Sequence, residues 1–127
     1  MVPHDVMKRW KKWAQQHRKE AAKTAEEAEA ARQTREIDPQ FAYVYKLKEC
    51  AAAWHTISAE YWERSIEVVS LANEAGLEIE LGLNFILYER RTVDGKVKLK
   101  RIKKGDKNQF SADQVIEICK ARIKGSR

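Results

Sequence analysis

Apolar and small residues recur through the first third of the chain at alternating steps of three and four. Met7, Trp10, Ala14, His17, Ala21, Thr24, Ala28 and Ala31 make up this seam. Such spacing puts its members on one stripe of a helix, in the manner of a heptad repeat. Residues 5–36 contain neither Gly nor Pro and are rich in Ala, Glu, Lys, Arg and Gln, so a helix is predicted there. After Trp10 the seam is mostly small, which lets a neighbouring helix come close but buries little area per residue. Trp13 falls off the seam, between lysines and a run of polar residues, and is expected to be partly exposed.

Asp38-Pro39 punctuates the chain. Asp is a good helix cap and Pro is pre-shaped for the first helical position, so a second helix is predicted over 39–75. Leu47, Ala51, Trp54, Ser58, Tyr61, Ser65, Val68 and Ala72 form a stripe alternating large and small. On this reading the helix is the core of the domain, and Trp54 reaches from it into the facing helix. Thr56-Ile57-Ser58 offers an interruption, because Ser58 can cap a helix starting at Ala59. Gly76 ends the helix, with Leu77 placed to close over Ala72 in a Schellman-type cap.

The period then changes to two. Ile79, Leu81, Leu83, Phe85 and Leu87 alternate with Glu78, Glu80, Gly82 and Asn84, which predicts a strand running 78–93. Asp94-Gly95 signals a type I′ turn, and residues 96–103 return antiparallel, Val93 opposing Lys96, Arg91 opposing Lys98 and Glu89 opposing Lys100. This leaves 78–85 with no partner strand. An apolar open edge invites pairing, so a homodimer is expected. Gly105 to Asn108 reads as a loop. Ser111 and Gln114 form a capping box that opens a last helix, 112–124, with Val115, Ile116, Cys119 and Ile123 on its apolar side. The chain therefore reads as a single α+β domain over 1–127: two long antiparallel amphipathic helices, then a basic β-hairpin, then a short C-terminal helix.

Composition changes the picture through charge. Of 127 residues, 35% are charged, above the roughly 25% of an ordinary domain. The net charge is +6, but it is unevenly spread. Residues 8–23 carry seven Lys/Arg against Glu20, and residues 89–107 carry nine against Glu89, Asp94 and Asp106, so each block is +6 and the remainder is −6. Basic blocks of this kind favour anionic partners, nucleic acid first or an acidic protein. No apolar run approaches the 18 or so residues of a membrane span, and no membrane partner is expected. Two cysteines without a CxxC spacing, and no apolar core between Met1 and Trp13, fit a reduced, cytoplasmic setting.

The candidate binding residues follow from these blocks. In the hairpin they are Arg90, Arg91, Lys96, Lys98, Lys100, Arg101, Lys103 and Lys104; in the first helix, Lys8, Arg9, Lys11, Lys12 and Trp13. A basic ribbon can track a phosphate backbone, and cations interleaved with tryptophan suit base stacking and phosphate contact. The plainer alternatives are an edge strand guarded by lysines and a solvated helix face. Like charges directly opposite, Arg91 and Lys98, cost an isolated hairpin stability. That cost is easier to understand if an anion neutralises them. A winged-helix docking is rejected, because the helix in the recognition position carries Glu60, Glu63, Glu67 and Glu74 against Arg64. Those glutamates lie on successive turns of one helix, with Glu60 in reach of Arg64, and read as a solvated face rather than as catalytic acids. His4, His17 and His55 and the two cysteines show no zinc spacing, and no cofactor or catalytic motif is present. His17 sits in the seam, where a packing role is expected. The function expected is that of a non-catalytic nucleic-acid-binding accessory or regulatory protein. The alternative is a protein-interaction module using its helical seam or open strand edge.

Overall fold

A computed structural model describes residues 2–125. The elements are α1 (His4–Thr34), α2 (Phe41–Glu74), β1 (Leu77–Glu80), β2 (Ile86–Val93), β3 (Lys96–Arg101) and α3 (Ala112–Gly125). This is the α+β arrangement predicted. Contacts divide the chain into two units, and both long helices contribute to each: Lys8–Glu63 forms one, and residues 2–7 with 64–125 form the described part of the other.

The Lys8–Glu63 unit is an antiparallel helical hairpin. Asp38 Oδ1 accepts a hydrogen bond from the Gln40 backbone N–H at 3.1 Å, capping α2 as Asp-Pro implied. The α1 seam packs as read from its spacing: Ala14, Thr24, Ala28 and Ala31 are buried, and Trp10, His17 and Ala21 are half-buried. Thr24 satisfies its hydroxyl by donating to the Glu20 carbonyl at 2.6 Å.

The stripe of α2 that meets this seam is a different one from the stripe predicted. His55 meets His17, with their Nδ1 atoms 3.0 Å apart, so one ring donates and the other accepts. Trp62 stacks against Trp10 and Trp13, at centroid distances of 5.7 and 5.0 Å. Ala59 is fully buried. Arg18 grips Glu63 with two nitrogens at 2.7 and 3.2 Å, and Lys48 pairs with Glu27. Trp54, expected in the core, is 60% exposed, and Leu47 and Tyr61 are exposed with it. The physical reason lies in α1, whose small seam permits a close approach that suits Ala59 better than Leu47 and Trp54. Trp13 is 42% exposed, as its position off the seam implied. The helix also runs unbroken through 56–58, the Thr56 hydroxyl donating back to the Ala52 carbonyl at 3.0 Å.

In the second unit the strands lie in the order β1-β2-β3, all antiparallel. The long strand predicted over 78–93 is two strands. Residues 81–85 turn back, so that Leu77 opposes Glu89 and Ile79 opposes Leu87. Gly82 and Asn84 are turn-forming residues inside an otherwise strand-like alternation. The apolar edge left open by the sequence reading is thus paired within the chain. The β2–β3 register is the predicted one, and Asp94 (φ 53°) and Gly95 (φ 74°) make the two positive-φ positions that a type I′ turn demands.

The core of this unit joins Val68, Val69 and Ala72 of α2, Leu77 and Leu87 of the sheet, Phe110, and Val115 and Cys119 of α3. Gly76, at φ +73°, lets the chain leave α2 and enter β1, with Leu77 and Ala72 both buried beside it. Phe85 and Phe110 exchange two backbone hydrogen bonds of 2.7 and 2.8 Å, which tie the segment before α3 to the start of β2. Ser111 and Gln114 form the reciprocal capping box, at 3.0 and 3.3 Å. Asn73 holds the start of the described chain through both its amide groups on Val2, at 3.3 and 3.1 Å.

Phe110 is 1% exposed and Leu99 is exposed. Phe110→Ala is expected to cost about 3–5 kcal/mol in denaturant melts, and Leu99→Ala under about 1 kcal/mol. Equal losses would place the core elsewhere.

Candidate nucleic-acid interface

The distal part of the β2–β3 ribbon is uncovered. Every residue from Arg90 to Lys100 is exposed, on both faces of the ribbon. At about 3.3 Å per residue, the exposed arms reach roughly 15 Å. Alternation along the strands puts Arg91, Lys96, Lys98 and Lys100 on one face together with Glu89, and Arg90, Thr92, Val97, Leu99 and Arg101 on the other.

Pairing sorts these cations into two groups. Arg90 pairs with Glu78 across the sheet, Arg91 with Glu89 at 3.2 Å, and Lys104 with Glu117 at 3.8 Å. Among the described residues, Lys96, Lys98, Lys100 and Lys103 make no ion pair. The Arg91–Lys98 like-charge opposition predicted from the turn is present in the register.

At the base of the ribbon lies a depression of about 440 Å³, lined by Glu89, Arg91, Lys100, Arg101, Ile102, Lys103 and Arg122. Five cationic residues and one carboxylate line it. Glu89 takes a guanidinium nitrogen from Arg122 of α3 and another from Arg91. The Arg122 bond, reinforced by Arg91, holds its carboxyl below the usual range despite some desolvation. Arg101, on the ribbon's other face, has a buried Nε with no hydrogen-bond partner among the described residues. A cluster of this charge can receive a phosphate oxygen, which would compete with Glu89 for the two arginines.

The charge blocks in the sequence mark the ribbon and its base but not Arg122. A signal for it existed: Arg122 follows Val115 and Cys119 at steps of four and three, so it ends the buried stripe of α3 on the side that faces the core. The predicted cations Lys8, Arg9, Lys11 and Lys12 are exposed on α1 in or beside the Lys8–Glu63 unit, with Trp13 packed edge-on to Trp62 and partly open. Two glutamates of α2, Glu63 and Glu67, are partners of arginines. Arg64, expected on Glu60, instead bonds Glu67 at 2.9 Å and Asp113 of α3, while Glu63 serves Arg18. A cross-element partner displaced the local one because Asp113 sits in the first turn of α3, within reach of Arg64.

Among the described residues, no helix is long and apolar enough to cross a membrane. The chain matches no protein-family model, no curated protein and no solved structure.

Because the Glu89 carboxyl is depressed in the folded state, the stabilisation from its arginine pairs is complete above the free value of about 4.3. It is lost as pH falls through the lower folded value. A carboxyl-detected NMR titration should therefore find Glu89 titrating below free glutamate. Arg122→Ala should move it back up; an unchanged Glu89 in that variant would mean that Arg122 does not set it.

Proposed function

We propose that this protein is a non-catalytic nucleic-acid-binding accessory or regulatory factor that grips the phosphate backbone through its basic ribbon. The observation that carries this reading is the row of unpaired cations, Lys96, Lys98, Lys100 and Lys103, on a ribbon open on both faces. Solvated lysines that only guard an edge need no cluster of arginines at the ribbon's base, whereas a polyanion would use both. Arg91, Arg101 and Arg122 supply the planar donors that suit phosphate oxygens. The exposed cations of α1, Lys8, Arg9, Lys11 and Lys12, offer a second backbone-contacting surface. The two free cysteines, Cys50 and Cys119, suit a reducing compartment such as the cytoplasm.

A second reading, a protein-interaction module, draws on a separate observation: the exposed apolar stripe of α2. Salt separates the two. Backbone-driven binding weakens steeply as salt rises, and an apolar interface does not.

The test is fluorescence anisotropy with single- and double-stranded DNA and RNA over a salt series. Replacing Arg91, Lys96, Lys98 and Lys100 together by Ala should weaken binding and flatten the log–log salt slope by about one unit per lost contact. Folding should persist, since these side chains point to solvent. Glu89→Gln, which removes the competing carboxylate, should strengthen binding. Wild-type protein that binds none of the four probes at low salt overturns the reading.

A further inference from the structure

Among the described residues, α2 leaves an apolar face largely open to solvent. Tyr43, Val44, Leu47, Trp54, Ile57 and Tyr61 of α2 are all exposed, Ile57 at 65% and Leu47 at 53%. Scattered exposed apolar residues are ordinary, but a contiguous stripe over five helical turns marks an interaction surface. At roughly 100 Å² for each half-exposed large side chain, the stripe offers about 600 Å² per copy. Specific interfaces begin at about 600 Å² per partner.

We propose that this stripe pairs with the same stripe of a second copy of the chain, antiparallel, about a two-fold axis between Ala52 and Ala53. Three observations select that occupant and that direction. The first is spacing. Val44, Leu47, Ala51, Trp54, Ser58 and Tyr61 are separated by 3, 4, 3, 4 and 3 residues, a pattern that reads the same from either end. Antiparallel helices built on such a seam meet layer by layer under a two-fold axis.

The second is size. In the antiparallel pairing Trp54 meets Ala51 of the other copy, Leu47 meets Ser58, and Tyr61 meets Val44. Large faces smaller in each layer, as close packing requires. A parallel pairing would set Trp54 on Trp54 and Ala51 on Ala51, with crowding and a void in successive layers. Trp54 is held edge-on to His17 and His55 at centroid distances of 5.4 and 4.9 Å, and 60% of it stays open to solvent.

The third is charge. Lys46 and Glu60 lie on the same outer flank of the stripe, fourteen residues apart and so about 21 Å along the helix. Among the described residues neither makes an ion pair. Antiparallel pairing about the same axis brings each Lys46 beside the other copy's Glu60. Parallel pairing would carry this flank of the two copies to opposite sides of the dimer, leaving each Lys46 and Glu60 without the other. A partner of unrelated sequence would have no reason to match this internal symmetry. The surface uses none of the ribbon's residues, so its test is independent of nucleic-acid binding.

The experiment is sedimentation equilibrium of the full chain from about 1 to 100 µM, without nucleic acid. The wild type should reach twice the 14.8 kDa chain mass. Trp54→Glu should raise the dimer Kd by more than about 100-fold. Its far-UV circular dichroism should be unchanged, since the position is open to solvent. Lys46→Glu and Glu60→Lys should each raise the Kd about tenfold. The double variant should recover, and an equimolar mixture of the two single variants should form mixed dimers. A wild type that stays monomeric at 100 µM overturns the proposal, and so does a dimer indifferent to Trp54→Glu. Charge variants that weaken the dimer without recovery in the double variant overturn the antiparallel direction.

Discussion

Two helices packed as a hairpin can bury one stripe on each, and α2 carries two. Beyond Trp10 and His17 the seam on α1 is alanines and one threonine, and it closes on His55, Ala59 and Trp62 because small residues let the backbones approach. That choice settles everything else about the Lys8–Glu63 unit. It buries the smaller apolar stripe and turns Leu47, Trp54 and Tyr61 outward. The close approach is held at its ends and middle by specific pairs: the Trp10–Trp62–Trp13 cluster, the His17–His55 contact, and the Arg18–Glu63 and Lys48–Glu27 ion pairs. The ion pairs are exposed and contribute little individually. The rings carry the area.

The second unit solves a different problem. A two-stranded ribbon alone is marginal in water, so the inner half of β2 is given a third strand, the Phe85–Phe110 bridge and a helix carrying Val115 and Cys119. The outer half is given none of these and keeps its cations. The division falls at Glu89, where Arg122 and Arg91 converge. Inward of that carboxylate the side chains serve packing; outward of it they are exposed on both faces.

Much of this was legible in the chain. The helices, the I′ turn at Asp94-Gly95, the ribbon register, the Ser111–Gln114 box and the Gly76 cap each depend on local chemistry, and local chemistry is what spacing reports. The faults arose where a choice is made at a distance. Periodicity marks α2 as broadly apolar, but which stripe it buries depends on the seam of α1. The alternation from Ile79 to Leu87 is common to one strand and to two strands folded together, and only the turn residues Gly82 and Asn84 told them apart. Arg122 joined the ribbon's base through tertiary packing, so the charge blocks along the sequence passed it by.

The long-range contacts of α1 and α2 also have an order. Moving away from the turn at Asp38, the pairs His17–His55, Arg18–Glu63, Met7–Ser70 and Val2–Asn73 span 38, 45, 63 and 71 residues. Closing the last of these directly from an unfolded chain carries the loop entropy of the whole interval. Closing it after the others adds only a few residues of slack, and loop entropy grows slowly with length. Assembly from the turn outward is therefore the route of least entropic resistance, and it leaves the Asn73 clasp on Val2 to be made last. In reverse, that clasp is the first contact to open, so the end of α1 frays well before the tryptophan cluster parts.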